Sequence, residues 1–226
     1  MNASKSAWRA SLVCGSSHKA SDKIHYFGRG CFLIAAVFGI SACASHTPLK
    51  SDQATSYQGL AASGENEMSI PPQPVDFGRY RVAVIESVQV APAVAKEVSP
   101  EVCTEISDVL RDDVNAQMRK KFDLKGDPTT EPVLRIKIRI TRITEASPVI
   151  NTVTSLAIGP LLNGALAVEL EALDGNTGEQ KAMLLWAGSG GLKEFFGNYS
   201  RTSHARTLAG RFAVDATAFI SPLSKR

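Results

Sequence analysis

The period of the apolar residues changes several times along the chain, and each change marks an element. Val82-Ala83-Val84-Ile85 is an unbroken apolar run, which predicts a strand covered on both faces. Ser99-Pro100-Glu101 then has the form of a helix start, with a capping hydroxyl, a proline in the first turn and an acid near the positive end of the dipole. Val102, Ile106, Leu110, Val114, Met118 and Phe122 recur every fourth residue behind it, with Cys103 and Val109 alongside, so an amphipathic helix of about 23 residues is expected. Gly126-Asp127-Pro128 breaks the pattern beyond that helix.

From Val133 to Ile140 the alternation is strict, giving a strand with an aliphatic face and a basic face made of Arg135, Lys137 and Arg139. The aliphatic phase slips between Ile140 and Ile143, and one extra residue near Thr141-Arg142 would restore it as a β-bulge. Leu166, Val168 and Leu170 alternate with Glu169 and Glu171 in a third strand. Asp174-Gly175-Asn176-Thr177-Gly178 reads as a turn and Ala182–Trp186 as a fourth strand. Ala205, Leu208, Ala209, Phe212, Ala216, Phe219 and Ile220 mark a last helix over about Ser203–Ile220. The expected fold is α+β: a four-stranded, mainly antiparallel sheet with two helices on one face, in the order β-α-β-β-β-α.

The most apolar run lies far upstream, in Cys31–Ser45 (CFLIAAVFGISACAS). Its uncharged part, Cys31–Ala42, would rise about 18 Å as a helix, short of a bilayer core of about 30 Å. No polar face divides it as one would divide a core helix. Lys5, Arg9, Lys19, Lys23 and Arg29 precede it against a single Asp22, so it reads as a secretory signal. Ile40-Ser41-Ala42-Cys43 resembles the lipobox of bacterial lipoproteins. That resemblance implies diacylglycerol transfer to the Cys43 sulfur, cleavage before it and acylation of the new amino terminus. One acyl chain binds a membrane marginally, whereas two or more hold it stably. Ala44, in place of Asp, implies sorting to the outer membrane, with the domain facing the periplasm. The bland alternative is an ordinary secretory signal cut nearby.

Loss of residues 1–42 changes the composition. They carry a net charge of +4 against +3 for the whole chain, so the remainder is −1. The basic balance therefore belongs to the signal and gives no reason to expect a nucleic-acid partner. Cys14 and Cys31 leave with it and Cys43 is the lipid site, so only Cys103 remains and no intramolecular disulfide can form. Residues 43–78 are rich in Ser, Ala, Gly, Gln and Pro and read as a flexible tether spanning roughly 30–35 Å. Residues 79–222 form the expected domain.

Several groups could carry chemistry. His46 and His204 are the only histidines after Cys43, and neither has a partner at metal spacing, so no metal or other cofactor is expected. His204 reads as a helix-end hydrogen-bonding residue, with a catalytic or ligand role as the alternative. Cys103 lies on the apolar stripe as a buried thiol. Gly188-Ser189-Gly190-Gly191 lacks the Lys-Ser/Thr that completes a phosphate loop. Glu169 and Glu171 could be paired carboxylates, but the basic row on the preceding strand offers cross-strand ion pairs instead. The basic face of Arg135, Lys137 and Arg139 could otherwise meet anionic lipid heads or wall polymers. Two apolar connections are candidate contact surfaces: Val149–Leu162, with Val149, Ile150, Val153, Leu156, Ile158 and Leu161, and Leu192–Tyr199, with Phe195, Phe196 and Tyr199. Plain packing over the core is the competing reading of both.

The run from Pro148-Val149-Ile150-Asn151 to Gly159-Pro160, then Gly164-Ala165, Glu169–Asp174 and Thr177-Gly178-Glu179, resembles a family of uncharacterised bacterial lipoproteins carrying a domain of unknown function after a lipobox. Gly188–Leu192 and Ser203-His204-Ala205 extend the likeness, which covers about Phe77–Ile220. The resemblance implies an address and a fold but no activity. The expectation is a non-enzymatic, lipid-anchored module of the outer membrane. It would be held by acyl chains on Cys43 and bind an envelope protein or further copies of itself. The alternatives are an accessory to a cell-wall or envelope enzyme, or an enzyme with an unrecognised carboxylate site.

Overall fold

The computed structural model describes residues 47–126, 131–144, 165–189 and 202–225. All of them belong to one compact unit, Ala44–Arg226. Seven strands form one sheet: β1 (Ala61–Gly64), β2 (Glu67–Ile70), β3 (Val82–Ile85), β4 (Gln89–Val90), β5 (Val133–Thr144), β6 (Ala165–Asp174) and β7 (Gln180–Ser189). Their order across the sheet is β1-β2-β7-β6-β5-β3, with β4 also on β5. Among the described residues the α-helices are α1 (Pro92–Glu97), α2 (Pro100–Met118) and α3 (Ser203–Ile220).

The expected elements appear as β3, α2, β5, β6, β7 and α3. The expected four-stranded sheet is corrected to seven strands, because β1 and β2 add to the free edge of β7 and β4 pairs with β5 beyond the stretch taken by β3. β5, β6 and β7 pair antiparallel, while β3 and β4 run parallel to β5. β3 is not covered on both faces. It lies at the sheet edge and Val84 is 40% exposed.

The local signals act as their chemistry dictates. The Ser99 hydroxyl accepts from the Val102 N–H at 3.4 Å, and Pro100 fills the first turn of α2. Cys103, Ile106, Leu110, Val114 and Met118 form its buried stripe. α2 stops four residues earlier than the stripe suggests. Phe122 still packs in the core, but the next residue, Asp123, is drawn into backbone bonding with Arg81 and Ala83. The register slip in β5 falls between Ile140 and Arg142, leaving Thr141 as the extra residue. It carries Ile143 back to the core, where it is 7% exposed.

Ile136, Ile138 and Ile140 of β5 face the helices together with Leu166, Val168, Leu170 and Ala172 of β6 and Leu184 and Trp186 of β7. They pack against α2 and against Leu208, Phe212 and Ala216 of α3. Gly188 is required here, since a Cβ would lie 2.4 Å from the Trp186 ring and 2.9 Å from Leu208. Among the described residues no helix is long and apolar enough to cross a membrane.

Candidate functional site

Three polar assemblies stand out. The first lies on the sheet face opposite the helices. β5 and β6 pair in the register that sets Arg139 across from Glu169 and Lys137 across from Glu171. Arg139 Nη1 lies 2.8 Å from Glu169 Oε1, and Nη2 lies 3.2 Å from Glu171 Oε2. The cross-strand pairing expected of the two rows is thus present, but it is not a surface feature. Arg139 is 3% exposed and both glutamates are fully buried.

What covers them is the stretch expected to be a tether. The Ser51 N–H donates to Glu169 at 2.9 Å and its hydroxyl at 2.6 Å. The Tyr57 hydroxyl donates to Glu169 at 2.7 Å, the Thr55 N–H to Glu171 at 2.6 Å, and the Ser56 N–H to Gln180 at 3.0 Å. Residues 51–57 therefore form a strap across the sheet. Behind it the chain enters β1 and β2. The tether reading of residues 43–78 is corrected from Thr47 onward: a weakly apolar segment orders itself because two buried carboxylates need more donors than Arg139 supplies. Burial pushes the Tyr57 phenol up; the Ser51 hydrogen bond opposes this and Glu169 reinforces it. The open basic face is corrected as well. Arg139 is sealed, Arg135 pairs with Glu86, and Lys137 alone of the three has no partner among the described residues.

The second assembly holds the β6–β7 turn. Asp174 Oδ1 accepts from the Asn176 and Thr177 N–H groups, each at 3.0 Å, and Gly178 takes φ +72° to close the turn. The Tyr80 hydroxyl donates to Asp174 Oδ2 at 2.8 Å, and Arg79 lies 3.3 Å from the same oxygen. Lys181 bridges Asp76 and Glu179. Burial alone would raise the Asp174 carboxyl, but the Thr177 N–H, the Tyr80 hydroxyl, the Asn176 N–H and Arg79 together hold it below its ordinary value. Tyr80 is pushed up, first by burial and then by Asp174. The turn from Asp174 to Glu179 is thus a structural knot.

The third is an open crevice of about 390 Å3 between the β1–β2 hairpin, the end of β7 and α3. Glu65 and Glu67 line one wall, Arg211 and Asp215 the other, with Trp186 and Gly188 between. Pairing of β2 with β7 sets Glu67 directly across from Trp186, and the Trp186 indole donates to Asp215 at 3.0 Å. Burial pushes the Glu67 carboxyl up, and the Asp215 charge adds to this. Arg211 and Asp215 stand one turn apart on α3, yet no ion pair joins them among the described contacts.

Other candidates fall elsewhere. Cys103 is buried, in no disulfide, with its thiol 3.9 Å from the Val98 carbonyl oxygen. His204 is buried with its Nδ1 unpartnered rather than bonding at the helix end. Val149, Ile150, Val153, Leu156, Ile158, Leu161, Phe195, Phe196 and Tyr199 lie outside the described residues, as does Cys43. The strap and the crevice were missed by sequence reasoning. One signal was available for the strap: Tyr57 is the only aromatic residue between Ala44 and Asp76.

With this architecture in place, residues 49–216 match a family described as protein of unknown function, DUF3313. The chain belongs to that family. The match begins two residues before the strap, in keeping with a domain that starts well before Arg79. No curated protein matches the chain. Among solved structures it is similar to a PelC dodecamer from Paraburkholderia phytofirmans, at 12% identity over 71% of this chain and 97% of that one, with a TM-score of 0.40. Protein XCC0632 from Xanthomonas campestris, of family DUF330, matches at 8% identity over 67% and 90%, with a TM-score of 0.44. Hypothetical protein CT253 from Chlamydia trachomatis matches at 13% over 62% and 94%, with a TM-score of 0.30.

Proposed function

We propose that the chain is a lipid-anchored protein of the outer membrane, facing the periplasm, whose domain binds another envelope component or further copies of itself and catalyses no reaction. The observation that carries the binding reading is the strap. The one carboxylate pair that suggested an enzyme is neutralised by Arg139 and closed over by Ser51, Thr55 and Tyr57, so neither glutamate can reach a substrate. The anchor rests on the lipobox at Ile40–Cys43 and its basic flank.

The contact surface in this reading is formed by the connections containing Val149–Leu162 and Leu192–Tyr199. Their described ends support a shared location: Thr144 pairs with Ala165, and Ala165 with Ser189, so both connections leave the same end of the sheet. The strap also shortens the spacer. Seven residues separate Cys43 from Ser51, the first strap residue bonded to the sheet, a span of at most about 28 Å, so the domain stays near the lipid surface.

Palmitate labelling in a bacterial host, followed by envelope crosslinking of the labelled protein, tests both parts. The wild type should incorporate label, Cys43→Ser should not, and the crosslinked wild type should retain a protein partner or a second copy. An unlabelled wild type overturns the anchor. Recovery of lipid alone overturns the binding role.

A further inference from the structure

We propose that the crevice between the β1–β2 hairpin and α3 binds a primary ammonium group joined by a short spacer to a phosphate, the chemistry of an aminoethyl phosphate ester. The inference is independent of the acyl anchor. Glu65, Glu67 and Asp215 give the crevice three carboxylates against one guanidinium, Arg211, in a cavity of about 390 Å3. No group of three acidic, His or Cys side chains converges as metal ligands among the described residues, so the charge pattern suits an organic cation better than a metal ion.

Its placement is specific. Pairing with β7 sets Glu67 directly across from Trp186, and the Trp186 indole fixes Asp215 by occupying one of its oxygens. Gly188 leaves room for the ring to lie over the strand. Burial first, and the Asp215 charge second, raise the proton affinity of Glu67, and no cation is paired to it among the described contacts. An ammonium offers three donors and relieves that repulsion.

The second half of the ligand follows from Arg211. It stands one helical turn from Asp215, and residues so spaced have Cβ atoms about 5–6 Å apart. They face the same crevice without pairing, so a ligand bearing both charges can bridge them. In an α-amino acid both charged groups are attached to one carbon, whereas the two-carbon spacer and ester oxygen of an aminoethyl phosphate set them farther apart. A guanidinium also matches phosphate bidentately.

Calorimetric titration of the full chain with O-phosphoethanolamine, ethanolamine, inorganic phosphate and O-phosphocholine tests this. O-Phosphoethanolamine should bind at least about tenfold more tightly than any of the other three, since each lacks a charge-assisted contact. Glu67→Gln and Arg211→Gln should each weaken it by about tenfold or more. Glu67→Gln should at the same time raise the thermal midpoint, because it removes a carboxylate the fold disfavours, so its lost binding cannot be ascribed to unfolding. Sedimentation of Cys43→Ser protein with phosphatidylethanolamine or phosphatidylcholine vesicles separates the sources. Retention on the former alone assigns a lipid headgroup, and binding of the free ester without retention assigns a soluble phosphoester. Absence of O-phosphoethanolamine binding, or equal binding by both variants and the wild type, overturns the proposal.

Discussion

β6 is buried along almost its whole length, but its two faces are buried by different means. Toward the helices it presents Leu166, Val168, Leu170 and Ala172. Toward the strap it presents Glu169 and Glu171. The first face is stabilised by removal of apolar area from water, a force without direction that tolerates substitution of similar volume. The second is stabilised only if every lone pair finds a donor at a particular place. The apolar side therefore fixes where the sheet lies, and the charged side fixes which segment lies on it.

That contrast can be broken most forcefully at Arg139. Arg139→Met strands two carboxylates beneath the strap and should cost about 3–5 kcal/mol in urea unfolding. Adding Glu169→Gln and Glu171→Gln to it should recover part of the loss, which no apolar-face variant would allow. Leu170→Ala on the opposite face should cost about 2–5 kcal/mol through the cavity it leaves, and Glu169→Gln should add to it without coupling. Tyr57→Phe removes one strap donor to a charged acceptor and should cost about 1.5 kcal/mol, with faster amide exchange in residues 51–57 and none in β6. A smaller cost for Arg139→Met than for Tyr57→Phe would show that the ion pair is not what the strap closes over.

The gentlest test uses pH at the turn assembly. Tyr80 holds its proton more tightly in the fold than its ordinary value of 10.0. Above that pH the unfolded chain ionises first and stability falls, so Tyr80→Phe should flatten part of the alkaline limb of the unfolding midpoint. Asp174 is depressed below 3.8. Its contribution is present above that pH and lost as the pH falls through the lower folded value. Asp174→Asn should therefore shrink the acid limb, as measured by the same midpoint.

The helix-facing half of the molecule was legible from period alone. Ile106, Leu110 and Val114, the Ser99 cap, the slip at Thr141 and the charges facing one another across β5 and β6 are all local or nearest-strand features. The strap was not. Ser51 and Glu169 are 118 residues apart, and no window of sequence contains both donor and acceptor. β1 was hidden for a related reason: Ala61–Gly64 is exposed throughout and has no apolar face to alternate. It is a strand because β2 pairs with β7 and offers it an edge. The crevice inherits that difficulty, since Glu67 meets Asp215 only after the hairpin has docked.

The strap also gives the domain a load path. Tension applied at the amino end would first reach Ser51, and through it the Glu169–Arg139 pair in the middle of the sheet. The hairpin at the sheet edge would feel it only afterward. Force would thus be spread over several short bonds across β5 and β6 rather than peeling strands one at a time. A pull on the amino end would therefore be met at the Ser51–Glu169 bonds before it reached the apolar core.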